Sequence, residues 1–573
     1  MVEIEEIKYE RVDDVPLLIG LAMKLRLPEI IDRQVGQHGN HQGLSKGWLA
    51  TIWIGYILSA GDHRKSYVRE WVWSKRNLLE KLIGQELRWE DFSDDRLGIV
   101  LKWLSEEQIW DQIERALWSR SVEVYEIKLT GIRLDSTSSY GYHTPSEEGI
   151  MQLGHSKDHR PDLVQLKLMG AAAQPSGHLL GSDVYPGQRA DDPLYEPMIN
   201  RVRAMVGRTG LLYSGDSKMA ALATRANLVA AGDFYLMPLP LTGQTAQGFE
   251  RWVEAVVEGP QAVQLLWADS KLLGYGYEFE RQMSFEPGQH RVQWSERVQV
   301  VRSLSLAQAQ KQTLEKRLSQ AQRAVRQLTP EPGPGRSQVQ DEQQLQTAIT
   351  SILKQYKVSG LLEVSWRREE QRLETYIGPG RPGPNRKKRT HLKVRYVITA
   401  VQRNETAIAA QQYRFGWLLY VTNLPAVLTI AHCLIHYRGG YCLERDFHLL
   451  KDIPLGLSPL FVRKDDQIIG LTHLLTLALR LLTLIESQVR LQLANFDLSL
   501  SGLYPGQPNR TTDKPTAKRI LQAIARSQIT LARFQIASHS YAHLSPLPDF
   551  LLTILALLGL SSSLYTRLSQ NST

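Results

Sequence analysis

Two short apolar runs, Gly131 to Leu134 and Gly210 to Tyr213, each end in small polar residues around an aspartate, and a segment of helical spacing lies between them. The first run leads into Asp135 within Arg133-Leu134-Asp135-Ser136-Thr137-Ser138, and the second into Asp216 within Tyr213-Ser214-Gly215-Asp216-Ser217-Lys218. Both runs are short and apolar enough for core strands, and residues 193 to 206 between them carry apolar side chains at steps of three and four, which predicts a helix. A strand, a right-handed crossover helix and a parallel strand would set the two acids side by side at one sheet edge, where ligands of open α/β sheets gather. Two carboxylates held close repel unless cations lie between them. Either acid read alone has a second explanation, because Asp followed by Ser is good N-cap chemistry for a following helix.

The chain has 573 residues, which points to three or four domains. Its formal net charge of +9 suits a polyanionic partner without requiring one. Two cysteines, Cys433 and Cys442, with no CxxC spacing, argue against a disulfide scaffold or structural zinc and fit a reducing cytosol. The opening Met1-Val2-Glu3-Ile4-Glu5-Glu6 is acidic and lacks the apolar core of a signal peptide. The longest apolar runs, 48 to 60 and 550 to 560, fall short of the roughly 18 residues of a spanning helix. An intracellular protein without a membrane segment is the expectation.

Residues 14 to 120 read as helices: Val15 to Leu27, Trp48 to Leu58, and Leu97 to Leu104 with Ser93 as its cap. Between them, His63 to Trp71 places Arg64 and Lys65 among aromatics, a pattern able to grip phosphate and stack on bases. The plainer reading is a solvated helix face with Tyr67 and Trp71 packed inward. From 126 to 240 strands and helices alternate, with further strands at Leu163 to Leu168, His178 to Val184 and Phe234 to Pro238. The connection after Asp135 offers Lys157 and Arg160 as DNA contacts. It also carries His155 and His159, which have metal-ligand spacing but, beside Pro161 in a loop, read better as surface histidines.

Region 241 to 415 breaks the alternation. Strand-like runs at Leu272 to Phe279 and Val298 to Arg302 precede a helix whose Leu314, Leu318, Ala321, Val325 and Leu328 form a coiled-coil seam. A Pro/Gly break and a second helix with Leu345, Ile349, Ile352, Leu353 and Tyr356 complete a helical hairpin. The densest basic run follows: Gly378 to Arg389 carries Arg381, Arg386, Lys387, Lys388 and Arg389 among prolines and glycines, so it is neither helix nor central strand. Such a loop suits the DNA backbone or a narrow minor groove, and equally a merely solvated turn. A strand at Gly416 to Asn423, a buried helix at Leu471 to Ile485 and a helical tail from 516 to 573 end the chain.

Tyr437 to Lys451 adds a third acid. Glu444 and Lys451 are two helical turns apart on one face, beside an apolar stripe of Leu443, Phe447 and Leu450. Taken alone, such a pair is commonly a surface salt bridge.

Together, Asp135, Asp216 and the Tyr437 to Lys451 block resemble the DDE catalytic core of IS4-like insertion-sequence transposases, most closely the IS1634 group. That family's third motif runs Tyr, two residues, Arg, three residues, Glu, six residues, Lys, and Tyr437, Glu444 and Lys451 fall on its first, third and last positions. The LDSTS, GHSKDHRPDL and GDSKM segments and the large insertion before the glutamate resemble the group too, over roughly 125 to 455. Gly440 stands at the arginine position, a departure for which Arg438 is the candidate replacement. Two glycines at 439 and 440 should weaken a helix there by about 1 kcal/mol each, so the helix is expected to start near Tyr441, with Tyr437 and Arg438 in its lead-in turn.

The resemblance implies an α/β chain with an RNase H-like catalytic core split into 125–240 and 416–500. A large α+β insertion at 241–415, a helical DNA-binding region at 1–120 and a helical region at 501–573 complete it. It implies a cut-and-paste DNA transposase in which Asp135, Asp216 and Glu444 hold two Mg²⁺ or Mn²⁺ ions about 3.5 to 4 Å apart. Tyr437, Arg438, Lys451 and Lys218 would meet DNA, and Trp267 or Trp294 would stack on a flipped base at a hairpinned end. The implied partners are double-stranded DNA, as terminal inverted repeats and target, and a second copy of the chain in a synaptic homodimer. The implied setting is a prokaryotic cytoplasm, at the nucleoid. The alternatives are an RNase H-like nuclease without strand transfer and a non-catalytic DNA-binding derivative.

Overall fold

The strands around the two aspartates form the middle of a nine-stranded mixed sheet. The computed structural model describes residues 4–36, 42–286, 291–333, 335–379, 383, 387–536 and 539–570. Strands β1 (Gly131–Gly141), β2 (Val164–Gln174) and β3 (Leu179–Pro186) make an antiparallel meander. Strand β4 (Leu212–Ser214) runs parallel to β1, and β5 (Phe234–Pro238) parallel to β4. Beyond them come β6 (Gln264–Ala268), β7 (Lys271–Phe285), β8 (Val292–Ser303) and β9 (Trp417–Thr422), giving the order β3-β2-β1-β4-β5-β9-β8-β7-β6.

The crossover between β3 and β4 is the helix Tyr195–Val206, as the spacing predicts. Pro197 sits in its first turn, where no hydrogen-bonded N–H is lost. Tyr195, Met198, Ile199, Val202 and Met205 form its buried face, and Gly207 ends it in the left-handed conformation that suits glycine. Strand β2 is buried along its whole length, Gln165 and Lys167 included, so the alternation of Val164-Gln165-Leu166-Lys167-Leu168 does not mark a solvent face.

The long helix Asp465–Asn495 passes under this sheet, buried nearly all round. It is the one helix among the described residues long and apolar enough to cross a membrane, and here it is sheathed in protein. Its Arg480 is neutralised by Glu114 from the helix Glu107–Tyr125, which also binds Arg201 at 2.5 Å. Removing one member of such a buried set strands a charge, at a cost of about 3 to 5 kcal/mol. The helix Asp94–Ser105, capped by Ser93 as expected, crosses the long helix so closely that a side chain on Gly470 would run into the Leu101 carbonyl.

Two regions differ from expectation. Strands β6 to β8 join the central sheet through β9, so the sheet runs on into the inserted region. The valines of β8 at 298, 300 and 301 are fully buried, Val298 and Val300 in the main core and Val301 in a second cluster with Leu236, Leu266, Tyr420 and Ile430. The helices Leu304–Arg326 and Glu342–Gln355 and the hairpin of Leu362–Tyr376 with Lys388–Arg403 build around a core of their own, with Leu314, Leu318, Ala321, Val325, Leu345 and Ile349 on the expected seam. The tail expected to be helical contains the strands Thr530–Ile536 and His539–Leu544, and Ile4–Arg11 pairs with the first of these. A short strand of alternating Leu531, Arg533 and Gln535 is readily masked by the apolar helices on either side.

Candidate active site

Asp135, inside β1, and Asp216, just past the end of β4, lie at the same level of two neighbouring parallel strands. Arg133 of β1 is in register with Ser214 of β4, so each acid lies two residues further along, toward the carboxyl end. Asp135 lies inside β1, which runs on to Gly141, so it caps no helix; its Oδ1 accepts from the Ser136 N–H at 2.8 Å. Asp216 does cap a short 3₁₀ turn, Ser217–Ala220, accepting from the Lys218 N–H at 2.9 Å. The same oxygen accepts the Tyr195 hydroxyl at 2.6 Å, so the cap and the acid pair share one carboxylate.

Burial pushes the Asp135 carboxyl above its ordinary range, the negative charge of Asp216 adds to this, and Lys157 opposes it. Burial and the same two acids hold the Tyr195 phenol far above its usual value, so it stays a donor. Lys157 donates to the Ser136 carbonyl at 2.5 Å and lies 3.7 Å from both Asp135 and Asp191. Lys167, from β2, binds Asp191 at 2.6 Å. Sequence reasoning missed Asp191, Lys167 and Tyr195. A lone lysine inside the apolar run of β2 was the available signal.

The Glu444 helix spans Cys442–Lys451 with Tyr441 as N-cap, close to the expected start. Tyr437 and Arg438, expected in its lead-in turn, instead belong to a separate helix, Ile430–Gly439, broken from it at Gly440. Leu443, Phe447 and Leu450 are buried as the stripe predicts. Phe447 packs over Gly170, the residue opposite Asp135 on β2, and a Cβ there would come within 2.9 Å of the Phe447 ring. Gly170 thus brings the helix down beside the acid pair.

Glu444 itself is 58% exposed and faces a guanidinium: its Oε1 is 3.7 Å from Nη2 of the buried Arg133. Arg133 also lies over the Tyr437 ring at 4.7 Å and donates to the Gly215 carbonyl at 3.4 Å. It therefore touches the third acid's helix, the tyrosine helix and the residue before Asp216. Arg438 does not take this place; it donates to Ser303 Oγ at 2.7 Å, toward β8. Among the described residues, no three His, Cys, Asp or Glu side chains are grouped closely enough to hold a metal ion. Asp135 and Asp216 are brought together, while Glu444 stands apart at Arg133.

The other candidate contacts are scattered. Lys451 binds Asp158 at 2.6 Å, Arg160 binds Asp162, Arg64 binds Asp62, and Lys65 binds Asp94 at 2.8 Å. Lys218 is exposed, 3.5 Å from Asp192. Lys387, Lys388 and Arg389 are exposed, and Arg381 and Arg386 lie outside the described residues. Tyr67, expected to pack inward, is exposed beneath Arg64, whereas Trp71 meets Tyr56 edge-on. His155 and His159 are exposed, as their loop setting predicts. Trp294 is a core residue whose indole donates to Tyr235, and only Trp267 is open to solvent.

These features define a mixed α/β protein with an acid pair where two parallel strands part, Asp135 within β1 and Asp216 just beyond β4. Its residues 7–114 match the family model described as a domain of unknown function, DUF4277, which covers the N-terminal helices and none of the three acids. No curated protein matches the chain. Among solved structures, it is similar to the piggyBac transposase in a cryo-EM structure of its synaptic complex with hairpin DNA. The two share 8% identity over 91% of this chain and 82% of that one, with a TM-score of 0.35.

Proposed function

We propose that the chain is a DDE transposase of the IS4-like, IS1634-type insertion sequences, with an RNase H-like core, that cuts DNA at terminal inverted repeats and joins the ends to a target. One observation carries the reading: Asp135 inside β1 and Asp216 just past the end of the parallel strand β4 each follow the Arg133/Ser214 pair by two residues, in a sheet that begins as an antiparallel meander, with a third acid on a helix packed across that meander. The donor set fits a hard divalent cation such as Mg²⁺ or Mn²⁺, being all oxygen, and cation binding would relieve the repulsion that helps to raise the Asp135 carboxyl. Bound there, two such ions would activate the attacking water or 3′-hydroxyl and stabilise the leaving oxygen.

The chain's own residues do the rest. Tyr195 orients the Asp216 carboxylate. Arg133 pairs with Glu444 away from the two aspartates, and its guanidinium is placed to take a backbone phosphate when that acid turns inward. Lys218, Arg160 and Lys451 exchange their carboxylate partners for phosphates as DNA enters. Pairing two element ends calls for a homodimer, at the prokaryotic nucleoid.

The separation of Glu444 from the two aspartates favours one second reading, a DNA-binding derivative without turnover. The test is Mg²⁺-dependent cleavage of linear DNA carrying the element's own terminal repeat by the parent and by Asp135→Ala, Asp216→Ala and Glu444→Ala. Cleavage by the parent alone, with repeat binding kept in all four, supports the transposase. Cleavage by any of the three variants at the parental rate removes that acid from the site. Binding without cleavage by the parent selects the second reading.

A further inference from the structure

The hairpin of Leu362–Tyr376 and Lys388–Arg403 forms a two-stranded sheet of its own and projects from the helical hairpin of the insertion. Its two faces differ in sequence and in surroundings. Even-numbered residues near its base face the protein: Trp366, Tyr396 and Ile398 pack on the helical hairpin's core, and the Trp366 indole donates to Glu342 at 3.0 Å.

Odd-numbered residues form the outer face. The pairing sets Arg389 opposite Thr375, His391 opposite Leu373, Lys393 opposite Gln371, Arg395 opposite Glu369, and Arg367 opposite Val397. Arg389, His391, Lys393 and Arg395 therefore form one row, a side chain about every 6.8 Å along the strand. Glu369 is the one acid on that face over this stretch, and it is already held by Arg395 at 2.7 Å and Arg367 at 2.8 Å. No described carboxylate pairs with Arg389 or Lys393, and both are exposed.

The inner face is different. Beyond the packed base it alternates signs, with Arg368 bound to Glu370 and Lys388 to Glu374, both at 2.8 Å. Charge that serves only to keep a bare ribbon from aggregating needs no segregation by sign. The outer face is segregated, which points to a polyanion.

We propose that the outer face of this ribbon is a docking surface for double-stranded DNA, with Arg389 and Lys393 contacting backbone phosphates. This deepens the transposase reading and rests on it. A two-stranded ribbon fits the major groove of B-DNA, about 12 Å wide. Arg389 and Lys393 lie along the ribbon and can follow one phosphate backbone at the groove's edge, so the contact surface is the strands themselves.

The test measures binding of the full chain to a short fluorescent duplex across a salt series, in EDTA so that no cleavage intervenes. The parent is compared with Arg389→Ala/Lys393→Ala and with Arg368→Ala/Arg372→Ala, which removes the same charge from the inner face; thermal unfolding checks that each variant folds. Counterion release predicts that the outer-face variant loses about 1.8 from the magnitude of the log–log salt slope and binds roughly 10- to 30-fold more weakly at 0.15 M salt. The inner-face variant should stay close to the parent. Equal affinity and slope for the outer-face variant and the parent overturn the proposal, as does an equal loss from the inner-face variant. So does an outer-face variant that keeps duplex binding but loses binding to phosphatidylserine vesicles. A parent that binds no duplex at any salt overturns the transposase reading itself.

Discussion

Arg133 and Gly440 share one space: a Cβ on Gly440 would lie 3.1 Å from Arg133 Cδ and 3.1 Å from Gln174 Nε2. The missing side chain is what lets the guanidinium cross over Tyr437 toward Glu444. Gly440→Arg, which would supply the arginine of the insertion-sequence motif that this stretch resembles, is therefore expected to destabilise the protein by about 1 to 3 kcal/mol through overpacking, with Gly440→Ala milder. Thermal unfolding reads this out. A Gly440→Arg protein as stable as the parent and faster in cleavage would show that Arg133 yields the place freely.

Tyr195→Phe removes the 2.6 Å donor to Asp216 and little else. A hydrogen bond to a charged group contributes about 1.5 to 3 kcal/mol, so Tm should fall. The sharper readout is the Mg²⁺ concentration that half-saturates cleavage, which should rise while duplex affinity in EDTA is unchanged. An unaltered Mg²⁺ requirement would take Tyr195 out of the site.

Asp446, on the Glu444 helix but facing inward, is fully buried, and neither carboxyl oxygen has a hydrogen-bond partner among the described residues. Burial first, then the charge of Glu486, pushes its carboxyl up to about 8, against the pull of Arg445. A raised carboxyl keeps its proton in the folded state, so its contribution is complete below the unfolded value of about 3.9 and is lost as pH climbs through the folded value. Asp446→Asn should leave stability near pH 4 almost unchanged and raise it, relative to the parent, near pH 9, the difference growing as pH climbs from about 4 to about 8. Denaturant midpoints at the two pH values check this, and parallel pH profiles would refute it.

Gly170→Val places a side chain under Phe447, where a Cβ already meets the ring at 2.9 and 3.1 Å. The Glu444 helix must lift, at about 1 to 3 kcal/mol, and cleavage should fall with DNA binding kept. Adding Phe447→Ala restores room, so the double variant should recover part of the activity. Recovery absent in the double variant, with both proteins folded, would separate Gly170 from the placement of Glu444.

Local periodicity carried much of the architecture. Two runs ending in acids, a 3.6-residue pattern between them, the seam from Leu314 to Val325 and the stripe of Leu443, Phe447 and Leu450 all fold as their spacing dictates, because each is decided within one element. What escaped was decided between elements. Arg133 sits two residues before Asp135, on the same strand face, yet its partner is set by a helix about three hundred residues further on. Tyr195 reads as one more core aromatic until its hydroxyl is seen to reach Asp216. The strand at Thr530–Ile536 forms because Ile4–Arg11 and His539–Leu544 complete its hydrogen bonding on either side, and no window around residue 530 contains the first of those partners.

That pairing sets an order of events during synthesis. The Tyr565 hydroxyl donates to the Asp13 carbonyl across 552 residues, and Ile4–Arg11 lies beside Thr530–Ile536. At about 5 to 20 residues per second, the earlier-made of the two strands waits roughly half a minute to two minutes for its neighbour. Until then it leaves the ribosome with an open hydrogen-bonding edge. Residues 530 to 565 thus close the fold around residues 4 to 13, and a ribosome that stalls before residue 530 holds a chain in which Ile4–Arg11 has nowhere to dock.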